Sequence, residues 1–105
     1  FPFSGHTTTC ESLWMGVPVV TLEVEKHFGR MSLGFLSVLG LKDFIAHTQE
    51  EYVQIVLTLF NNFDPLIQLR QTLRETMKSS PLCHKERYIF ELDKIYRDIW
   101  RQWCF

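Results

Sequence analysis

Gly5, Thr7, Thr8, Thr9 and Glu11 stand close enough together in the chain to hold an anion and a sugar. Gly5 lets the backbone turn sharply and lets a ligand approach it closely. If a helix starts among the threonines, its first N–H groups lack intrahelical partners, and the helix dipole adds partial positive charge at that end. A phosphate suits such a tip, with the three hydroxyls as caps or as further donors to it. Glu11 falls about one turn into the helix. A carboxylate there can accept hydrogen bonds from sugar hydroxyls. The same residues also suit a plain helix start, in which threonines cap and an early glutamate complements the dipole.

The elements that must position these residues read outward from them. Ser4-Gly5-His6 is a tight loop. The helix from about Thr7 to Met15 buries Leu13 and Trp14 and stops at Gly16, a residue suited to the left-handed position that ends a helix. Val17-Pro18-Val19-Val20-Thr21-Leu22 is β-branched and apolar, as a covered parallel strand requires, with Pro18 tolerated near its start. Loop, helix tip, short helix and strand together predict an α/β grip on a phosphate. Phe1 to Ser4 reads as the tail of an earlier strand. Glu23 to His27 reads as a loop at the strand's C-terminal end, where open α/β sheets place ligands. A second helix is predicted from Phe28 to Leu39, with Met31, Phe35 and Val38 on one face and Gly40 as its stop. Phe44-Ile45-Ala46 is a candidate small strand.

The remainder reads as helical. Thr48 with Glu51 makes a capping box, and Tyr52, Ile55, Val56, Leu59, Phe60 and Phe63 then fall on one stripe. Asp64-Pro65 predicts an N-cap followed by proline at the first helical position. Leu66, Leu69, Leu73 and Met77 mark the buried face of that helix, and Ser79-Ser80-Pro81 breaks it. The last helix starts near His84 or Lys85 and carries Tyr88, Leu92, Ile95, Tyr96, Ile99 and Trp103 at helical spacing. A single clear strand cannot satisfy its own N–H and C=O groups. The chain can hardly supply neighbours for it, so further polypeptide or a second copy is expected to complete the sheet, and self-association of the chain is expected.

Composition narrows the function classes. A net charge of −1 gives no electrostatic case for nucleic acid or an anionic membrane. No apolar run approaches a membrane span. The opening Phe1-Pro2-Phe3 is not a basic start followed by an apolar stretch, and without an initiator Met it reads as part of a longer protein. Cys10, Cys83 and Cys104 are odd in number and widely spaced, which predicts free thiols in a reducing cytoplasm. Cys83-His84 has no partner at metal-ligand spacing, and Cys10 is expected to be a buried, inert thiol.

Gly5-His6-Thr7-Thr8-Thr9-Cys10-Glu11-Ser12-Leu13-Trp14-Met15-Gly16-Val17-Pro18-Val19-Val20-Thr21-Leu22 resembles the donor-binding segment of the O-GlcNAc transferase and SPINDLY family. The similarity continues in order through His27, Arg30-Met31, Leu39-Gly40-Leu41, Ile45-Ala46, Glu51-Tyr52, Leu69-Arg70, Ser80-Pro81-Leu82 and Tyr96-Arg97-Asp98-Ile99-Trp100. The resemblance implies the C-terminal part of the Rossmann-like, nucleotide-sugar-binding half of a two-domain GT-B glycosyltransferase, mostly helical in this piece. Residues 1–47 would form the helix–strand–helix donor segment and residues 48–105 a three-helix tail. Family members are commonly preceded by tetratricopeptide repeats.

By the same resemblance, Gly5, His6, Thr7 and Thr8 contact the donor diphosphate and Glu11 binds the donor ribose. Thr9, His27 and Arg30 are weaker candidates near the donor site. Val24 stands where family members often have glycine, and Gly29 where they often have serine, so the loop after the strand is expected to take another shape. The implied reaction moves a sugar from a nucleotide donor to Ser or Thr hydroxyls of proteins, without a metal or other cofactor. UDP-GlcNAc is the favoured donor, and GDP-fucose remains open. The lysine that neutralises the leaving diphosphate and the acceptor-binding half lie in other parts of the family's longer chain, so this segment alone is expected to be inactive. The other reading is a non-catalytic helical interaction module, in which the threonines are only caps.

Overall fold

The computed structural model describes residues 2–105. In it α1 spans Thr7–Trp14, β1 Thr21–Leu22, α2 Met31–Val38 and β2 Ile45–Ala46. Three longer helices follow: α3 (Gln49–Asn61), α4 (Asp64–Ser79) and α5 (Lys85–Cys104). Short 3-10 turns at His27–Gly29, Lys42–Phe44 and Pro81–Cys83 connect them.

Two glycines end the first two helices as expected, and by one device. Gly16 takes φ +77° and Gly40 φ +74°. Around Gly16, Val17 N donates to Ser12 O at 2.8 Å and Gly16 N to Leu13 O at 3.0 Å. Around Gly40, Leu41 N donates to Leu36 O at 2.9 Å and Gly40 N to Ser37 O at 3.2 Å. These paired bonds form the Schellman closure, which satisfies carbonyls that a helix end otherwise leaves bare.

The strand is shorter than its composition suggests. Only Thr21 and Leu22 pair, in parallel, with Ile45 and Ala46. Glu23 N extends the ladder by one bond to Ala46 O at 2.7 Å. The partner sets the length: Thr48 already caps α3 two residues after β2, its hydroxyl accepting from Glu51 N at 3.1 Å. Val17 to Val20 therefore run without a ladder. The chain does supply one neighbour for β1, contrary to expectation, but among the described residues the sheet has two strands. Among the described residues the strand tail expected at the start is not seen. Phe1 lies outside the described residues, and Pro2 to Ser4 form no strand. Ser4 N instead donates to Phe28 O at 3.2 Å.

The second helix starts later than Phe28. The Ser4 hydroxyl accepts from Met31 N at 3.2 Å and from Ser32 N at 3.4 Å, and this cap from a distant segment fixes the first turn of α2. Its buried face is Ser32, Leu36 and Leu39 rather than Met31, Phe35 and Val38; Val38 is exposed. In α4, Asp64 is the first helical residue rather than the N-cap, and Asn62 Oδ1 takes its N–H at 3.2 Å. Pro65 still occupies the first turn, where its missing N–H costs nothing.

Leu13, Leu36, Leu39, Phe44, Leu73 and Met77 form one buried cluster that joins α1, α2 and α4. Leu66 and Leu69 pack against its edge. Trp14 does not join it. Leu13 takes the inward position, and Trp14, about 100° further round the helix, lies at the rim. There Arg74 and Lys78 sit 5.6 and 5.9 Å from its ring centroid, and Arg74 Nε donates to its carbonyl at 2.8 Å. The last helix is different in kind. Tyr88, Ile95, Tyr96, Ile99, Trp100 and Trp103 are all exposed, although their spacing makes one apolar stripe. No helix among the described residues is long and apolar enough to cross a membrane.

Candidate functional site

The site begins at the turn into α1. His6 is the N-cap residue, and its side chain makes no cap hydrogen bond. The first helical bond runs from Cys10 N to His6 O at 3.2 Å. The N–H groups of Thr7, Thr8 and Thr9 therefore meet no acceptor among the described residues. Thr7, Thr8 and Glu11 are exposed, so the helix tip is open to solvent. Thr9 turns inward. It is buried, and its hydroxyl lies 2.9 Å from Ser32 Oγ.

His6 carries the least satisfied polar atom of this region. Its Nε2 is buried and has no hydrogen-bond partner. The ring stacks on Phe3 at 5.1 Å between centroids, and Phe3 stacks in turn on Phe28 at 6.0 Å. Stacking fixes the plane of the imidazole but satisfies neither nitrogen. A buried polar atom without a partner is costly, so a bound group that meets Nε2 would recover that cost.

A side chain at Gly5 would force the neighbouring threonines to shift. A Cβ there would overlap Thr9 Oγ1 and stand 3.3 Å from Thr8 Oγ1. The absent side chain is what lets two threonine hydroxyls crowd the turn.

At the C-terminal end of β1, Glu23 gathers two basic side chains. Arg30 donates to Glu23 Oε1 at 2.9 Å and to Val24 O at 3.1 Å. His47 Nδ1 lies 2.6 Å from Glu23 Oε2. The hydrogen bond with His47, then that with Arg30, holds the Glu23 carboxyl below the usual carboxylate range. Arg30 is thus tethered rather than free to swing, and His27 is exposed at the start of its 3-10 turn. Glu23 and His47 carried no signal in the sequence beyond Glu23's place just after a strand. The capping box is also modified: the Glu51 carboxylate accepts from His47 N at 2.7 Å, one residue before the cap.

A cavity of about 480 Å³ lies beside the turn, lined by Gly5, Thr9 and Ser32 and by Val19 to Leu22. Thr21 and Leu22, adjacent residues of β1, both line it, whereas a strand face would contribute only alternate ones, so the cavity meets the backbone edge of β1. Of the residues singled out in the sequence, Gly5 and Thr9 line it, while His6, Thr7, Thr8 and Glu11 do not. A second, wider groove of about 990 Å³ runs between α3 and α4. Among the described residues no cluster of three or more His, Cys, Asp or Glu could hold a metal ion.

The profile of glycosyl transferase family 41 matches residues 2–92. The chain belongs to glycosyl transferase family 41. Family 41 relatives include the SPINDLY proteins of Solanum lycopersicum and Hordeum vulgare, 40% and 41% identical over 104 residues, which is 99% of this chain and 11% of theirs. The UDP-N-acetylglucosamine–peptide N-acetylglucosaminyltransferase of Caenorhabditis elegans is 30% identical over 95% of this chain and 9% of its own. Among solved structures, a mutant of the Thermobaculum terrenum O-GlcNAc transferase superposes with a TM-score of 0.88 at 41% identity, covering 97% of this chain and 20% of that one. The chain thus spans about a tenth of the length of the curated family 41 relatives it matches. Its fold is that of a mostly helical piece of the GT-B catalytic region, with a short parallel sheet.

Within that fold, positions 24 and 29 meet in space. A Cβ on Gly29 would overlap Val24 Cγ2 and stand 2.6 Å from the Pro2 carbonyl oxygen. Val24 and the Pro2 carbonyl thus fill the space that a side chain at position 29 would need.

Proposed function

We propose that this segment grips the diphosphate and ribose of a nucleotide sugar for a protein O-glycosyltransferase. Three unpartnered N–H groups at the tip of α1, beside the orphaned His6 Nε2, are the observation that carries the reading. Donors fixed in this way stabilise charge that develops on a leaving diphosphate without reorganising during the reaction. Gly5, His6, Thr7 and Thr8 hold the diphosphate, and the exposed Glu11 carboxylate one turn along accepts from the ribose hydroxyls. Residues 1–47 are then the donor segment and residues 48–105 its helical tail. The names of the relatives support GlcNAc transfer from UDP-GlcNAc to Ser and Thr of acceptor proteins; GDP-fucose is the alternative donor. A preceding tetratricopeptide array and a cytoplasmic location belong to the same reading, the latter supported by three free cysteines.

Titration of the full-length protein with UDP and GDP tests the assignment. UDP is expected to bind, and Thr8→Val and Glu11→Ala are each expected to weaken it about tenfold with the fold unchanged by circular dichroism. Binding of GDP alone would reassign the donor. No binding of either nucleotide would leave a helical interaction module as the function.

The 105-residue chain alone is proposed to be inactive and to self-associate, because the outer edge of β1 and the apolar stripe of α5 are both uncovered. Sedimentation velocity is expected to show a weight-average mass that rises with concentration. A monomer at millimolar concentration would refute it.

A further inference from the structure

We infer that Thr9 and Ser32 are positioning residues that set the phosphate-facing turn, an assignment that rests on the donor-grip reading above. Both side chains are buried, at 4% and 2% exposure, and although both residues line the cavity beside the turn, their hydroxyls are engaged with each other. Ser32 Oγ lies 2.8 Å from Gly5 O and donates to it. A serine hydroxyl has one proton, so Thr9 must donate to Ser32 Oγ across their 2.9 Å contact. The direction of the chain is thereby fixed, from Thr9 through Ser32 to the Gly5 carbonyl.

That carbonyl decides where the next donor points. In a trans peptide the C=O of one residue and the N–H of the next lie on opposite sides of the bond. With Gly5 C=O drawn to Ser32, the His6 N–H is directed away from Ser32. It too meets no acceptor among the described residues. The other end of the turn is pinned by Ser4, which accepts from Met31 N and Ser32 N and donates to Phe28 O at 3.3 Å. The first turn of α2 thus clamps the Ser4–Thr9 segment at both ends, through bonds between residues 23 to 28 apart in sequence.

The test uses the full-length protein and three variants: Thr9→Val, Thr9→Ser and Ser32→Ala. Dissociation constants for UDP, GDP and inorganic pyrophosphate are measured by titration well below each variant's Tm. Thr9→Val keeps the shape and loses the donor; Thr9→Ser keeps the donor. Thr9→Val and Ser32→Ala are expected to weaken the bound nucleotide and pyrophosphate by the same factor, about fivefold, the size of one lost hydrogen bond. Thr9→Ser is expected to bind within about twofold of the parent. A lowered Tm with unchanged affinities in Thr9→Val would make the chain merely structural and overturn the inference. If Ser32→Ala fails to fold, the Thr9→Val and Thr9→Ser pair decides alone. A parent protein that binds none of the three probes overturns the donor-grip reading itself, a result distinct from variants that bind as the parent does.

Discussion

Gly16→Ala is expected to destabilise the chain by about 3 kcal/mol. Two costs combine. An L-residue held in the left-handed region costs about 1–2 kcal/mol, and Gly16 sits at φ +77°. A Cβ there would also stand 2.8 Å from Arg70 O and 3.2 Å from Arg70 Cα. Those are backbone atoms of α4, which cannot swing aside as a side chain could, and overpacking of this sort costs about 1–3 kcal/mol. Gly40→Ala separates the two, because Gly40 has φ +74° and nothing within 4 Å of its would-be Cβ. Urea denaturation of both variants is expected to show about 1 kcal/mol lost at Gly40 and the larger loss at Gly16. Equal losses at the two positions would mean that α1 does not seat against α4 as described.

The second large effect lies at Gly29. Gly29→Ser is expected to cost about 2 kcal/mol through overlap with Val24 and the Pro2 carbonyl. Val24→Gly alone loses the burial of a half-exposed side chain and loosens the loop. The double variant is expected to be more stable than the sum of the singles predicts, by about 1 kcal/mol, as neighbours in contact show. Part of the Gly29→Ser cost stays, because the Pro2 carbonyl belongs to the backbone and is not relieved by trimming Val24. Strict additivity in the cycle would show that positions 24 and 29 do not share the space assigned to them.

These glycines also mark how far the sequence could be read. Gly16 and Gly40 were legible as helix stops because few other residues tolerate positive φ. Leu66, Leu69, Leu73 and Met77 were legible because polar residues separate them at helical spacing in α4. In α2 the same reasoning chose the wrong face. Met31-Ser32-Leu33-Gly34-Phe35-Leu36-Ser37-Val38 is apolar on nearly every side, so its period had no contrast with which to select Leu36 and Leu39. The strand's length was illegible for a different reason: pairing depends on a partner more than twenty residues away, and β2 is two residues long.

The candidate site divides in the same manner. Gly5, Thr7, Thr8 and Glu11 announce a helix tip through local order alone. The bonds from Ser4 and Thr9 to Ser32, and the gathering of Arg30 and His47 on Glu23, join residues that no short window contains. Hydroxyl pairs of that kind leave no periodic trace. Thr9 was legible as a polar residue near the tip, but not that its hydroxyl faces inward.

The uncovered stripe of α5 bears on how the molecule breathes. The interior N–H and C=O groups of that helix are satisfied within the helix, while most of its large apolar side chains are exposed. Its amide protons can therefore reach solvent by fraying that leaves Leu13, Leu36 and Leu73 undisturbed, whereas those beneath the threonine turn are released only when the whole cluster opens. The buried cluster beneath α1 thus belongs to the slow-opening part of the chain, and the exposed aromatic tail to the fast-opening part.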